Sequence, residues 1–588
     1  MKRFVYILMA IAIGVFPLVV ENTFYVYLAQ TVAFTSIAVI GLNFLLGLSG
    51  QMSLGQAGFY AIGAYASAIL ATDYGWPLYA AIPFALIVSG IAGALVGLVA
   101  MRTRGLYLAM ATLAFGFIVE IVAQRWVDLT GGTMGLMGVP TLDFGDFRMG
   151  PTYFFWAAGF AWLFVQIGSD YIFASRWGRN LLAIKDSESF ARTVGLNVPV
   201  WRTGVFVLSA ILAGLAGTFF AHQNGFVSSD AFSIQLTLAL LVAVVIGGLG
   251  RSYGPVLGTV ILLAIDEGSA SLHNFSLMIY GSILLLVLLG FPEGATGLIR
   301  KLMPSGLLRA LMVAPSAPVA ASLEEVFSQK RCGESVGLSV EAISKSYSGI
   351  LAAQSVSLSV APGTVHALIG PNGAGKSTVI NVIAGLYDAD SGRVLIGDTD
   401  LTKLPAHKRA RLGLARTFQN LQLIGSLPVL DNVLLGMECD ARHTGGFLRW
   451  LVDPNYERVA RGHAMSILQF FGIAEFAGHY PDDLSYGHRK LVELARAVAQ
   501  HPKVMLLDEP VAGINTHEVK EIGQGILKLR ELGITVLLVE HNMEFVMRVS
   551  DRITVLDYGQ VIADGVPAEV RANPDVIEAY LGVEGETA

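Results

Sequence analysis

The sequence predicts two folds in series: a multi-span α-helical membrane domain of eight to ten helices, then an α/β domain built around a phosphate-binding loop. Three observations predict it. Charged residues are 14% of the 588-residue chain, against about 25% in soluble chains, and the shortage is uneven. Of 84 charged residues, 27 fall among residues 1–303 and 57 among the remaining 285. Several charge-free apolar windows in the first part are near the ~20 residues that a helix needs to cross a hydrocarbon core of about 30 Å. The second part carries a glycine-rich GPNGAGKST run directly after a short apolar strand. The composition argues against a purely soluble enzyme and against a disordered chain, and a net charge of −6 gives no sign of a nucleic-acid partner.

Taken in order, the windows are Phe24–Leu48, Leu78–Ala100, Gly150–Ser169, Thr203–Ala221, Ala231–Gly250 and Gly268–Pro292. Met1–Val20 and Gly105–Ala123 are plausible additions, and Gln51–Ala71 is a weaker, small-residue-rich stretch. Met1–Val20 has a signal peptide as its alternative reading. Basic residues cluster at Lys2/Arg3, Arg102/Arg104, Arg176 to Arg202 and Arg300/Lys301. All four clusters are expected on the cytoplasmic side. Four spans then fit before Arg102, two before Arg176 and an even number afterwards. Around Arg251 the chain is either re-entrant or two crossings broken by the arginine.

Small residues such as Gly93 with Gly97 and Ala210 with Gly214 suit close helix approach. Gly47–Tyr65 and Gly247–Gly258 are interrupted by glycine. Such a pair points to a transport path, with packing glycines and an ordinary loop as the alternative. Glu120, near the outer end of its helix, reads as an interfacial residue close to Arg125 and Asp128. The polar run 177–199 predicts a short cytoplasmic helix over Ser187–Val194, stopped by Gly195.

Residues 303–337, with APSAPVAAS, read as a linker. The boundaries are therefore 1–302 for the membrane domain, 303–337 for the linker and 338–588 for the cytoplasmic domain. Cys332 and Cys439 have no metal-ligand spacing and read as incidental thiols.

In the second domain the strand Val365–Ile369 enters Gly370, Pro371, Asn372, Gly373, Ala374, Gly375, Lys376, Ser377 and Thr378, followed by a helical stretch. Glycines let backbone N–H groups turn toward phosphate oxygens, and the helix N-terminus adds a favourable dipole. Lys376 is placed to reach the β and γ phosphates, and the Ser377 hydroxyl to ligate Mg2+. A second strand, Val504–Leu507, ends in Asp508 and Glu509. Asp508 suits Mg2+, and Glu509 suits polarising an attacking water. Leu484–His488 precedes a helical run over Arg489–Ala499. A strand over Thr535–Val539 ends in Glu540 and His541, a histidine that is either a γ-phosphate contact or structural.

This ordered set resembles the ATP-binding-cassette (ABC) family over about residues 338–582. The resemblance implies ATP and Mg2+ as cofactors. It implies that Gln419, in RTFQN, senses the γ-phosphate, contributes to the metal site and contacts the membrane domain. It implies that His541 is the switch histidine and that Tyr347 stacks on adenine. Ser485 and Gly487 would close on ATP held by an opposite subunit. The sequence departs from the family at Tyr486 and His488 in LSYGH, and at Asn515 where Asp is usual.

LSYG, AGIN, RTFQN and NPDVIEAYLG resemble the ATPase of branched-chain amino-acid importers. GLNFLLGLSGQMSLGQAGFYAIGAY, the 177–199 loop and IGGLGRSYGPVLG resemble the permease of the same group. The loop is similar to a coupling helix. The resemblance thus implies ATP-driven import of a small polar solute, most simply branched-chain amino acids, by a permease–ATPase fusion in a bacterial inner membrane. Urea, short amides or another small solute are the alternatives, and an exporter half-transporter or a membrane-anchored regulatory ATPase are the rival classes. Implied partners are a second permease and ATPase (separate subunits or a second copy), an external solute-binding protein and membrane lipid.

Overall fold

The computed structural model describes residues 2–103, 105–141, 143–144, 147–148, 150–268, 275–290, 294–302, 335–439 and 454–581. Outside the described residues lie Arg104, Cys332, most of the expected linker (303–334), Gly582 at the end of NPDVIEAYLG, and parts of the Gly268–Pro292 window. Two compact units emerge. The described residues up to Lys185, with those from Pro199 to 302, form one. Asp186–Val198 joins 335–439 and 454–581 in the other.

Ten apolar helices lie among the described residues of the first unit. They are Lys2–Val19, Thr23–Asn43 (continued by a π-helical turn, Phe44–Leu48), Gln56–Thr72, Leu78–Ala100, Leu106–Arg125, Pro151–Ala174, Val198–Asn224, Ile234–Gly247, Gly254–Gly268 and Ser276–Gly290. Six of these segments are long and apolar enough to cross a bilayer, the eighth when counted from Ser229. The order places four of these helices before Arg102, two between Arg102 and Arg176 and four from Val198 onward. The stretch around Arg251 is two helices parted at 248–253. Lys2–Val19 packs into the bundle, where Trp156 Nε1 donates to Gly14 O at 3.2 Å. Glu120 is partly exposed on Leu106–Arg125.

Small residues set the closest approaches. A Cβ on Gly63 would stand inside the backbone of Gly214, and one on Gly217 would meet the Tyr60 carbonyl. A Cβ on Gly93 would come within 2.5 Å of the Ala210 methyl. In lipid such contact is gained through dispersion. The two glycine-interrupted segments meet each other. Asn43 Nδ2 donates to Arg251 O at 3.0 Å, and its Oδ1 accepts from Gly250 N at 2.9 Å. Lys185 Nζ donates to Gly47 O at 3.0 Å. Backbone groups released by a broken helix are thus satisfied by side chains, as burial away from water requires.

The second unit is built on a six-stranded sheet in the order 414–416, 504–508, 535–539, 365–369, 552–557, 560–565. The first five strands run parallel and the last antiparallel. Val365–Ile369, Val504–Asp508 and Thr535–Val539 are buried at every residue, which is why they read as unbroken apolar runs. A four-stranded antiparallel sheet, 350–360, 338–347, 391–396 and 399–400, lies beside it in sequence. The short helix expected in the polar run 177–199 forms at Glu188–Thr193. The Ser187 side chain caps it by accepting from Phe190 N at 3.2 Å, and Gly195 ends it at φ +84°.

Candidate nucleotide site

The parallel register assembles the site. Asp508 pairs with Val539, and Val539 with Leu368. The residues that follow each strand, Gly370 onward, Glu509, and Glu540 with His541, therefore emerge side by side at one edge. Ligands bind at this carboxyl edge in such sheets. Arg416 pairs with Leu506, so Thr417 to Gln419 leave the sheet at the same edge.

The phosphate loop needs its glycines. Gly370, Gly373 and Gly375 have φ of +150°, +86° and +97°. A Cβ on Gly370 would strike the Leu556 carbonyl, and one on Gly375 the Ala352 carbonyl. Lys376, Ser377 and Thr378 open the helix Lys376–Ala384. Lys376 is 6% exposed and folds back on the loop, donating to Gly370 O at 2.7 Å and Pro371 O at 2.8 Å. Burial pushes its ammonium pKa down, and the Glu509 and Asp508 carboxylates oppose the shift.

Glu509 is held from both sides. Gln419 Nε2 lies 3.0 Å from its Oε2, and His541 Nε2 3.0 Å from its Oε1. The three residues predicted to act on the attacking water and γ-phosphate are thus in contact. Glu509 sits at φ +46°, a costly conformation for a non-glycine residue. Its N–H donates to Val539 O at 2.8 Å. Asp508 accepts from Arg416 at 3.0 Å, and Arg416 also donates to Asn381 Oδ1 at 2.6 Å.

Ser485 is the N-cap of the helix Tyr486–Val498, which starts three residues earlier than the apolar run predicts. Its hydroxyl lies 2.8 Å from Glu518 Oε1 and 3.0 Å from His488 Nδ1. A Cβ on Gly487 would collide with the Glu518 carboxylate. Asn515 caps the helix Thr516–Glu531, accepting from Glu518 N at 3.0 Å. Tyr347 is 38% exposed, its ring centroid 5.8 Å from that of Tyr387.

The profile described as the permease component of branched-chain amino acid transport systems matches residues 24–288. That of ABC transporters matches 353–512, and that of branched-chain amino acid ATP-binding cassette transporters 560–586. The high-affinity branched-chain amino acid transport ATP-binding protein LivG of Escherichia coli K12 is 40% identical over 249 residues, covering 42% of this chain and 97% of that protein. The chain belongs to the branched-chain amino-acid ABC transporter family. The corresponding protein BraF of Pseudomonas aeruginosa is 38% identical over 248 residues, again 42% of this transporter and 97% of that protein. A crystal structure of an ABC-transporter ATP-binding cassette in its ADP conformation is 36% identical, covers 42% of this chain and 99% of its own, and has a TM-score of 0.38. The transporter therefore joins a membrane permease to a cytoplasmic-facing ATPase in one polypeptide, and couples ATP hydrolysis to transport.

Sequence reasoning named Glu540 without a role and missed other groups that brace this ATPase. Glu540, 2% exposed, accepts from Val511 N at 2.8 Å and His541 N at 2.9 Å. It thereby ties the loop after Glu509 to the histidine that touches it. Burial pushes its carboxyl upward, and those N–H groups pull it back. Glu493 accepts from Phe418 N at 3.1 Å, with Lys490 at 3.5 Å and Arg496 at 3.9 Å. Lys490 holds the Phe418 and Gln419 carbonyls at 3.1 Å each. The available signal was a set of charged residues three apart on the apolar face of an amphipathic helix.

Proposed function

We propose that this transporter imports branched-chain amino acids, with Glu509 as general base and Mg2+ as the cofactor of ATP. The Glu509 carboxylate, oriented by Gln419 and His541 beside Lys376 and Asp508, carries the hydrolytic part of the reading. The substrate part rests on the likeness of both halves to branched-chain amino-acid systems. The Ser377 hydroxyl, Asp508 carboxylate and Gln419 side-chain oxygen are hard oxygen donors of the kind that Mg2+ takes. Arg416 engages only the Oδ2 of Asp508, consistent with a role for its second oxygen. When bound, Mg2+ neutralises charge on the phosphates.

The loop Gly370–Thr378 cradles the phosphates, and Tyr347 stacks on adenine. Lys376 leaves the Gly370 and Pro371 carbonyls for the nucleotide. Glu509 takes the proton of the attacking water, while His541 and Gln419 keep its carboxylate aimed. Ser485 and Gly487 close on ATP held by a second ATPase, supplied by a companion subunit or another copy of this chain. The domains divide at 1–302, 303–337 and 338–588. A second permease completes the pathway, and an external solute-binding protein delivers the solute.

Glu509→Gln keeps the hydrogen-bonding shape and removes the base. In proteoliposomes with companion subunits and a leucine-loaded binding protein, it should retain ATP binding and lose hydrolysis by roughly 100-fold or more, with leucine uptake falling equally. Full uptake by this variant would refute the assignment.

A further inference from the structure

In the second unit, the start of the helix Tyr486–Val498 is already covered by an anion of the protein itself. The Glu518 carboxylate lies there, its Oε1 2.8 Å from the hydroxyl of the N-cap Ser485. A Cβ on Gly487 would collide with the same carboxylate, so Glu518 also sits directly over the Gly487 backbone. Ser485 and Gly487 are the two residues that the reading above brings to the γ-phosphate of an ATP held by another ATPase. A carboxylate and a phosphate ask the same of this place: hydrogen-bond donors and the positive end of a helix dipole.

The proton count makes the two exclusive. A carboxylate oxygen only accepts, so the single hydroxyl proton of Ser485 goes to Glu518. The Ser485 oxygen accepts from His488 N at 3.2 Å. His488 Nδ1, 3.0 Å from the same oxygen, then donates to it as well. Ser485 therefore has no proton for a phosphate oxygen until Glu518 leaves. Nor can two anions share the place, because like charges so close repel.

The helix that carries Glu518 does not require this contact. Glu518 is the third residue of Thr516–Glu531, after the cap Asn515. A glutamate at that position can close a capping box by reaching back to the N–H of its own cap. Here its Oε1 turns across to the cap of a different helix. The neighbouring chain keeps the two segments together, since a Cβ on Gly513 would stand 3.8 Å from Tyr486 Cε1.

We propose that Glu518 is an autoinhibitory latch. Its carboxylate stands in for the γ-phosphate at Ser485 and Gly487, and closure on ATP must first displace it. The proposal rests on the reading that these two residues close on ATP held by another ATPase, and adds what occupies them beforehand. Only the unlatched fraction can close, so the latch raises the ATP concentration that hydrolysis needs. Two variants release it in different ways. Glu518→Gln keeps the length and removes the charge. Glu518→Asp keeps the charge in the first helical turn but is a methylene too short to reach Ser485. The measurement is ATP hydrolysis against ATP concentration on the purified full assembly, with folding checked by thermal melting.

Both variants are expected to reach half-maximal hydrolysis at roughly tenfold less ATP, as loss of a charge-assisted hydrogen bond implies, with a maximal rate no lower than that of the wild type. Unchanged half-saturation in both folded variants overturns the latch. A higher half-saturation or a lower maximal rate in them would make Glu518 a part of closure itself, and overturns it too. Ser485→Ala separates the latch from the reading beneath it. If Ser485→Ala loses hydrolysis while both Glu518 variants behave as the wild type, the reading stands and the latch falls. If Ser485→Ala hydrolyses ATP as the wild type does, the reading falls and takes the latch with it.

Discussion

The nucleotide site is held by charges taken out of water in pairs. Asp508 is 4% exposed. Burial pushes its carboxyl upward, and Arg416 pulls it back. The Arg416 guanidinium is in turn pushed down by burial and raised by Asp508. Such a pair is worth little against an apolar replacement of both members, but removing one strands the other at a cost of about 3–5 kcal/mol. Arg416→Met should therefore lower thermal stability of the detergent-purified chain by about that amount. It should also raise the Asp508 carboxyl further, so that residual ATPase activity climbs with pH as the carboxylate is forced to ionise. Arg416→Lys keeps a charge but cannot reach both Asp508 and Asn381 as a fork, and should fall between. Wild-type ATPase at neutral pH in Arg416→Met would show that the pair does not position Asp508. Lys376, Ser377, Asp508, Glu509 and His541 are legible in the sequence because each follows the end of an apolar strand. Arg416 is not, and Glu540, although it follows its strand, does not announce its role. Arg416 meets the terminus of another strand, 92 residues away at Asp508, Glu540 reaches Val511 in the loop after Glu509, and no local pattern announces such contacts.

At the scale of elements, the Glu188–Thr193 helix is informative because it is short. Six residues do not hold a helix in water on propensity alone. Packing must supply the stability, and it comes from the ATPase side. Arg496, buried on the Tyr486–Val498 helix, stacks its guanidinium 3.8 Å from the Phe190 ring centroid and donates to Gln422 O at 2.7 Å. A Cβ on Gly195 would stand 3.0 Å from Cys439 Sγ. This short helix therefore shares Arg496 with the segment that follows Gln419. Phe190→Ala should cost about 3 kcal/mol of packing, roughly a hundredfold in docked population. The expected result is leucine uptake reduced far more than ATP hydrolysis, measured on the same proteoliposomes. Equal losses would place Phe190 in general stability instead. The helix itself could be read from Ser187 and Gly195, a cap and a stop. The break at 248–253 could not be decided that way, because Asn43, about 200 residues earlier, satisfies its backbone.

For the whole molecule, the phosphate loop and the Ser485 motif of one chain are not joined by a hydrogen bond among the described residues. Lys376 stands in the phosphate loop. The Ser485 hydroxyl, among the described residues, bonds to His488 and Glu518 and not to that loop. If each site is completed by another ATPase, binding and hydrolysis become separable by mutation. Ser485→Asp keeps a competent N-cap but presents a carboxylate to the incoming γ-phosphate and to Glu518. It should bind ATP as the wild type does, since its own phosphate loop is untouched, yet lose hydrolysis by roughly 100-fold as like charges block closure. Lys376→Ala should lose both. Equilibrium nucleotide binding and phosphate release, measured on the same purified assemblies, distinguish the two. A Ser485→Asp chain that hydrolyses ATP normally would mean that the signature serine does not close on nucleotide, and that the coupling of gate to motor proceeds without a shared site. A Ser485→Asp chain that loses ATP binding along with hydrolysis would instead put both motifs in a single self-contained site.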